Sequence, residues 1–238
     1  MKKFCAWIGA AWLLQLTTAF GEEAAVDGMT WRQIIDAGGT LVYVLAGMSV
    51  IGFAMVVYFA LVLRREQIIP GALIEKLREN LRRGDFDAAE KTCLSRPCAL
   101  ASITLAAVRH KLRVGSTDIG LLRETMEGEG GRQATLIQNQ TQYLLDIAII
   151  APMIGLLGTV MGMLRAFNSV ALDMARARPL ELAEGVAQAL VTTIAGLIVA
   201  IPAMVAYAYF RGRSSRLISE LEGAAAELAS EMQEHAPR

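Results

Sequence analysis

The stretch "APMIGLLGTVMGMLRAF", residues 151–167, is apolar enough to enter a membrane, yet it holds three glycines, a proline and one threonine. Glycine and proline are the poorest helix formers, about 1 and 3 kcal/mol worse than alanine in a helix interior. A helix in lipid must satisfy its own backbone, so weak helix formers there point to close packing or to a functional path. Which of the two applies depends on the rest of the chain.

The chain has 238 residues, 54% hydrophobic and 19% charged, with a formal net charge of zero. The apolar residues are gathered in runs rather than spread as in a globular core. Residues 41–63 carry no charge, 143–164 carry only Asp146, and 186–210 carry none. A span needs about 20 apolar residues, and all three runs suffice. One such run fits a buried helix of a soluble protein; three predict an all-α integral membrane protein with three transmembrane helices. The balanced charge, and the lack of a basic patch interleaved with aromatics, exclude nucleic-acid binding.

The N-terminus, "MKKFCAWIGAAWLLQLTTAFGEE", places Lys2 and Lys3 before an apolar stretch from Phe4 to Leu14, with small residues allowing cleavage after Ala19 or Gly21. That is a secretory signal layout; an uncleaved amphipathic anchor is the alternative. No lipobox surrounds Cys5. The expected plan is therefore a signal peptide over 1–21, a periplasmic segment 22–39, spans at 40–63, 142–165 and 186–210, a cytoplasmic helical domain 64–141, a periplasmic loop 166–185 and a cytoplasmic C-terminal helix 211–238.

Cations set the direction. Arg64 and Arg65 close the first span, and Arg211, Arg213 and Arg216 close the third. Segment 64–141 holds thirteen Lys/Arg against ten Asp/Glu, whereas 22–39 holds Arg32 against Glu22, Glu23, Asp27 and Asp36. The N-terminus is expected outside and the C-terminus in the cytoplasm of a bacterial inner membrane, against the trend of Arg165, Arg176 and Arg178. Within the large segment, "IEKLRENLRRGDFDAAEKTCLSR" alternates apolar and charged residues at helical spacing around a Gly84-Asp85 turn. A helix from "DIGLLRETM" is expected to run on into the second span, with Gly128, Gly130 and Gly131 as its weak point. "SRLISELEGAAAELASEMQEH" reads as an amphipathic helix, and "MTWRQIIDAGG" as a short interfacial one anchored by Trp31.

No phosphate-binding loop, zinc-protease motif or Ser/His/Asp set appears, so no enzyme activity is expected. Cys93, Cys98 and His110 fall short of a four-ligand zinc site and read as two reduced thiols and an unrelated histidine, with no metal or cofactor.

In the second span the small residues Ala148, Pro152, Gly155, Thr159, Gly162 and Ala166 follow steps of 4, 3, 4, 3 and 4, which puts them on one helical stripe. In the third, Ala189, Thr193, Gly196, Ala200 and Ala203 repeat the device. Such stripes let helix backbones approach closely; Gly158 and Pro202 belong to the same packing vocabulary. The first span has no comparable stripe and looks lipid-facing. Polar groups lie on or beside the stripes: Thr159, Thr193, and the pair Gln188 and Thr192 one turn apart. Intramembrane polar groups face a bundle interior or a wet path, but a threonine can also bond its own helix backbone. Packing alone and an ion pathway are both open at this point.

"APMIGLLGTVMGM" and "GVAQALVTTIAGLIVAIPAMVAY" resemble the paired membrane signatures of the MotA/TolQ/ExbB proton-channel family, across about residues 140–211 and closest to its ExbB/TolQ branch. The resemblance implies a homopentamer whose second and third spans enclose a central pore. Inside would stand the helices of an ExbD- or TolR-like single-span partner with an essential intramembrane aspartate, and a TonB-like protein would complete the complex. Protons moving down the motive force would drive transport or, in a TolQ-like role, maintain the envelope; a non-conducting scaffold is the rival of a different class. The family's threonines correspond to Thr159 and Thr193. Some members carry a glutamate where this chain has Gln188, so a carboxylate role does not carry over. Asp146, thirteen residues before Thr159 and so about 20 Å along a helix, is expected near the cytoplasmic mouth.

Overall fold

The structure is a computed structural model and describes residues 39–114, 119–172 and 179–234. The signal peptide, nearly all of the 22–39 segment and the interfacial helix lie outside the described residues. Among those described, every regular element is an α-helix: α1 (Thr40–Val62), α2 (Arg65–Ile68), α3 (Gly71–Arg82), α4 (Phe86–Ser95), α5 (Ala99–Val114), α6 (Ile119–Leu172) and α7 (Pro179–Glu234). Three are long and apolar enough to cross a membrane: α1, and stretches of α6 and α7. At 23 residues, α1 spans about 35 Å.

Helix ends differ from the limits of the apolar runs. α6 passes through Gly128, Gly130 and Gly131 without a break, and α7 continues from the third span to Glu234 as one helix. The segment expected as a loop at 166–185 is helical to Leu172 and again from Pro179. Apolarity marks where lipid would end, not where backbone hydrogen bonding ends. A glycine's cost of about 1 kcal/mol does not stop a helix held by packing on its neighbours.

The chain divides into two compact units, one built from 1–58 with 142–208 and the other from 59–141 with 209–238. In the second, α3 is strongly amphipathic, and Leu73, Leu77 and Leu81 bury one face at four-residue steps. Gly84 then reverses the chain at φ +72°, a left-handed conformation that favours glycine. Asp85 starts α4 by accepting a bond from the Ala88 amide at 2.9 Å. Asn80 reaches across the turn to the Thr92 hydroxyl at 3.1 Å. Cys98 caps α5 in a similar way, its sulfur accepting from the Ala101 amide at 3.4 Å.

Leu217, Leu221, Leu228 and Met232 of α7 are fully buried in this unit, together with Leu100, Ile103 and Val108 of α5. Ion pairs strap the surface: Arg65 to Glu220 at 2.8 Å, Arg82 to Glu231 at 2.8 Å, and Arg78 to Glu227. The Lys111 ammonium donates to the Met232 carbonyl at 3.3 Å and lies 4.4 Å from the centre of the Phe86 ring. Burial there lowers its pKa.

Among the buried hydroxyls of this unit, Ser214 differs from Thr104 and Thr141, which donate to carbonyls of their own helices. Ser214 is 1% exposed and its hydroxyl has no hydrogen-bond partner. A buried hydroxyl without a partner costs desolvation with no return. Ser214→Ala is therefore expected to leave thermal stability unchanged or to raise it, by up to about 1 kcal/mol. Leu77→Ala, at a fully buried leucine, is expected to lose about 2–5 kcal/mol. A melting curve of each purified variant checks both, and a lowered Tm for Ser214→Ala would mean the hydroxyl has a partner after all.

Cys93, 2% exposed, has its thiol pushed up to about 12 by burial, with Cys98 and Glu90 acting in the same direction. The folded chain holds this proton where the unfolded chain loses it, so the stabilisation is present below pH 9 and is lost as pH rises from 9 towards 12. Alkylation of native protein by a maleimide at pH 8 is expected to spare Cys93 and to reach it after denaturation, as peptide mass mapping would show.

Candidate functional site: the seam between the second and third spans

Within the first unit α6 and α7 meet backbone to backbone. A Cβ placed on Gly196 would fall 2.7 Å from the Ala151 carbonyl oxygen and 3.2 Å from the Gly155 Cα. On Gly155 it would meet the Thr192 carbonyl at 3.0 Å and the Thr193 Cα at 3.2 Å, and on Gly162 the Gly185 carbonyl at 2.9 Å. On Gly158 it would collide with the Thr192 side chain, 2.3 Å from its hydroxyl oxygen. These glycines remove the side chains that would hold two helices apart in a medium that does not push them together.

The residues in the seam are not all those of the sequence stripe. Ala148, Ala151, Gly155, Gly158, Gly162 and Ala166 are buried along α6, whereas Pro152 and Thr159 are half-buried on its flank. On α7, Ala189, Thr192, Gly196, Ala200 and Ala203 are buried, while Thr193 and Pro202 are half-buried. Gly185, assigned to a loop from sequence, belongs to the seam: its Cβ would sit 2.6 Å from that of Ala166. Its signal was present in the four-residue steps Gly185–Ala189–Thr193, which continue the stripe one turn outward.

Each threonine has a distinct environment. Thr192, 1% exposed, donates to the Ala189 carbonyl at 2.9 Å and lies under Gly158. Thr193 reaches across the seam to the Gly155 carbonyl at 3.3 Å. Thr159 donates to its own helix, to the Leu156 carbonyl at 2.6 Å. Donation to a backbone carbonyl leaves the hydroxyl oxygen's lone pairs facing outward as acceptors.

The two flanks of the seam follow from these contacts. Residues advance about 100° per step around a helix. On α6 this puts Gly158 to one side of Gly155, and Pro152 and Thr159 to the other. Thr192 meets Gly158 while Thr193 meets Gly155, so Thr192 marks the Gly158 flank. Thr193 accordingly shares the opposite flank with Thr159 and Pro152. Gln188 lies on the Thr192 flank, where its side-chain nitrogen comes 2.6 Å from where a Cβ of Gly39 would be. Gly39, at φ +67°, immediately precedes α1. The start of α1 thus sits on one flank with Gln188 and Thr192, and Thr159 and Thr193 line the other.

The sequence grouping of Thr159, Thr192, Thr193 and Gln188 is therefore divided in two. Asp146 joins neither group: it is half-buried and lies nine residues before Gly155, about half a turn around α6 from the seam. Among the described residues no group of three or more His, Cys, Asp or Glu could hold a metal ion.

Comparison with known proteins bears on this pair of helices. The model of the MotA/TolQ/ExbB proton channel family matches residues 97–223, from just before α5 to well into α7. A putative biopolymer transport protein ExbB homolog of Methanothermobacter thermautotrophicus is 27% identical over 194 residues, 81% of this chain and 67% of that protein. The putative biopolymer transport protein ExbB-like 3 of Synechocystis is 27% identical over 191 residues, 79% of this chain and 89% of that one. The Tol-Pal system protein TolQ of Haemophilus influenzae is 42% identical over 77 residues, 32% of this chain and 33% of that protein.

The seam geometry gives a direct test. Gly196→Ala places a methyl against a backbone carbonyl that cannot rotate away, so α6 and α7 must separate. We expect a Tm loss equivalent to about 1–3 kcal/mol, the scale of overpacking a well-packed site. Gly223→Ala, at a helical glycine with nothing within 4 Å, is expected to be neutral or slightly stabilising. Equal melting of the two variants would show that the seam is looser than the structure has it.

Proposed function

The chain belongs to the MotA/TolQ/ExbB proton channel family, and from that premise we propose that it is the multi-pass subunit of a proton-driven motor in a bacterial inner membrane. In this reading five copies surround a pore walled by α6 and α7, with the N-terminus outside and the charged helical unit in the cytoplasm. A single-span ExbD- or TolR-like partner stands in the pore and brings the titrating carboxylate, and a TonB-like protein carries the work across the envelope. The arginines that close the apolar runs support the orientation.

The observation that carries the proposal is the flank that Thr159 and Thr193 share. In a surface of leucine, isoleucine and methionine, it presents two half-buried hydroxyls whose donors are held by backbone carbonyls. A proton path needs acceptors along it, and this flank, away from the start of α1, offers two hydroxyl oxygens. Thr192 and Gln188, on the other flank, are given a packing role instead. With Asp146 off the seam, the proposed path has no carboxylate of its own at the level of the hydroxyls and depends on the partner for one.

ExbB-like names among the relatives favour energised transport across the outer membrane as the task. The presence of a TolQ protein among the relatives supports a second reading, a motor for envelope integrity with the same proton chemistry.

Thr159→Val and Thr193→Val each keep the volume and remove the hydroxyl. Assembly with the partner is expected to survive, since an intramembrane hydrogen bond is worth only about 1–2 kcal/mol. Proton uptake by liposomes containing the purified complex is expected to fall severely in either variant, and Thr192→Val to conduct more nearly like the parent. If both flank variants carry protons as the parent does, the hydroxyls are packing groups and a non-conducting scaffold becomes the better reading.

A further inference from the structure

We propose that the junction between the end of α1 and the 211–216 turn of α7 binds the phosphate of an anionic phospholipid, held by Arg64, Arg213 and Arg216. The inference uses only the helical unit in which these residues lie and does not depend on proton conduction.

The apolar runs of α1 and α7 end at Leu63 and Phe210, and arginines follow at once in both. The two chain ends lie side by side: the rings of Phe59 and Phe210 are 5.9 Å apart, and Arg65 pairs with Glu220 at 2.8 Å. Arg213 and Arg216 stand about 4 and 9 Å beyond Phe210 along α7, and Arg64 follows two residues after the end of α1. Three cations thus come within about two turns of the last apolar residues.

Among the described residues no acidic side chain pairs with Arg64, Arg213 or Arg216. Residues 60–69 and 208–219 contain Arg64, Arg65, Arg211, Arg213 and Arg216 against Glu66 alone. Arg65 is taken by Glu220, and Arg211 has an interaction of its own within the chain. Arg64 uses its Nε on the Ala60 carbonyl at 3.4 Å, and its terminal nitrogens form no salt bridge. Arg213 is the most telling. Its Nε is enclosed by protein and has no hydrogen-bond partner, while the residue as a whole is half-buried. The guanidinium is thus anchored at its Nε end by the protein around it, and among the described residues it forms no salt bridge that would occupy its terminal nitrogens.

The position selects the acceptor. Phosphate oxygens accept forked bonds from guanidinium groups, and at the edge of an apolar helix the available phosphates belong to lipid. Three unneutralised arginines exceed the charge of one phosphodiester, so a headgroup that adds a cation of its own is disfavoured. Phosphatidylglycerol fits; phosphatidylcholine does not. The acyl chains would lie along the exposed apolar side of the end of α1, where Leu61 faces outward.

The test is lipid retention. Full-length protein is reconstituted in vesicles of phosphatidylcholine and phosphatidylglycerol in equal amounts, extracted in mild detergent, and weighed by native mass spectrometry. The parent is expected to keep phosphatidylglycerol in preference to phosphatidylcholine. Arg64→Gln or Arg213→Gln should each reduce that preference about fivefold, and the pair about thirtyfold, the scale of one arginine near an anionic surface. The lysine variants, which keep the charge, should retain most of it. Arg83→Gln, at an exposed arginine on α3 paired with Glu79, should change nothing. Equal retention of the two lipids by the parent, or an undiminished preference in the double variant, would overturn the proposal. So would an equal loss in Arg83→Gln, which would reveal a diffuse surface charge effect, or displacement of the lipid by excess inorganic phosphate, which would mark an ion site.

Discussion

The contact on which the membrane-span unit depends is the meeting of the Ala151 carbonyl with Gly196, where there is no room for a single methyl group. In lipid the hydrophobic effect does not drive helices together, so association comes from dispersion at short range and from weak polar contacts. Both need the backbones close. Gly155, Gly158 and Gly162 on one helix, and Gly185 and Gly196 on the other, supply that closeness over about three turns. The intrinsic helix cost of each glycine is small beside the contacts it makes available. Register follows from the same contact: with Gly196 seated at Ala151, Thr193 falls opposite the Gly155 carbonyl and Thr192 falls beneath Gly158. The threonines are thus positioned by the glycines, and the polar chemistry of the seam is a consequence of its packing.

Much of this was legible in the residues. Three uncharged runs gave three long helices, the four- and three-residue steps gave the faces that pack, and Gly84-Asp85 gave the turn between α3 and α4. What could not be read was which side of a face a given residue takes. A step of 4 and a step of 3 place a residue about 40° to one side of a line or about 60° to the other, so a pattern alone admits Thr159 and Gly158 equally. The neighbour decides: Thr192 fills the space at Gly158, and Thr159 is left on the flank. Gln188, grouped with the hydroxyls from sequence, lies on the Thr192 flank with its side-chain nitrogen beside Gly39. Helix limits failed for another reason. Hydropathy changes at 165, 186 and 210, but nothing there interrupts the hydrogen-bond ladder, and charged residues such as Arg211 and Arg213 are good helix formers.

The prolines illustrate how a poor helix former is accommodated. Pro152 and Pro202 each remove a backbone donor, and each lies inside a helix that continues past it. Both are half-buried rather than in the seam, so the rings occupy the flanks and the close approach is left to residues without bulk. A proline in the seam would have held α6 and α7 apart by the width of its ring. The division of labour is nearly consistent: glycine and alanine inside with Thr192 among them, Pro152, Pro202, Thr159 and Thr193 at the edge, leucine, isoleucine and methionine outside.

The two units are held together internally by forces of different range, and this sets how each responds to its surroundings. The helical unit of α2 to α5 with the ends of α6 and α7 has a leucine core under a row of exposed and half-buried ion pairs. Such pairs contribute at most about 1 kcal/mol each and weaken with salt. Its stability therefore rests on Leu77, Leu81, Leu217 and Leu228, while Arg65, Arg78 and Arg82 fix which faces of the helices meet. Among the described residues the seam of α6 and α7 has no ion pair to screen. Its contacts are contacts of shape, insensitive to ionic strength and intolerant of one added carbon. A wall built in this way stays rigid while charge moves past it, and that is the property the proposed pore requires of the subunit that lines it.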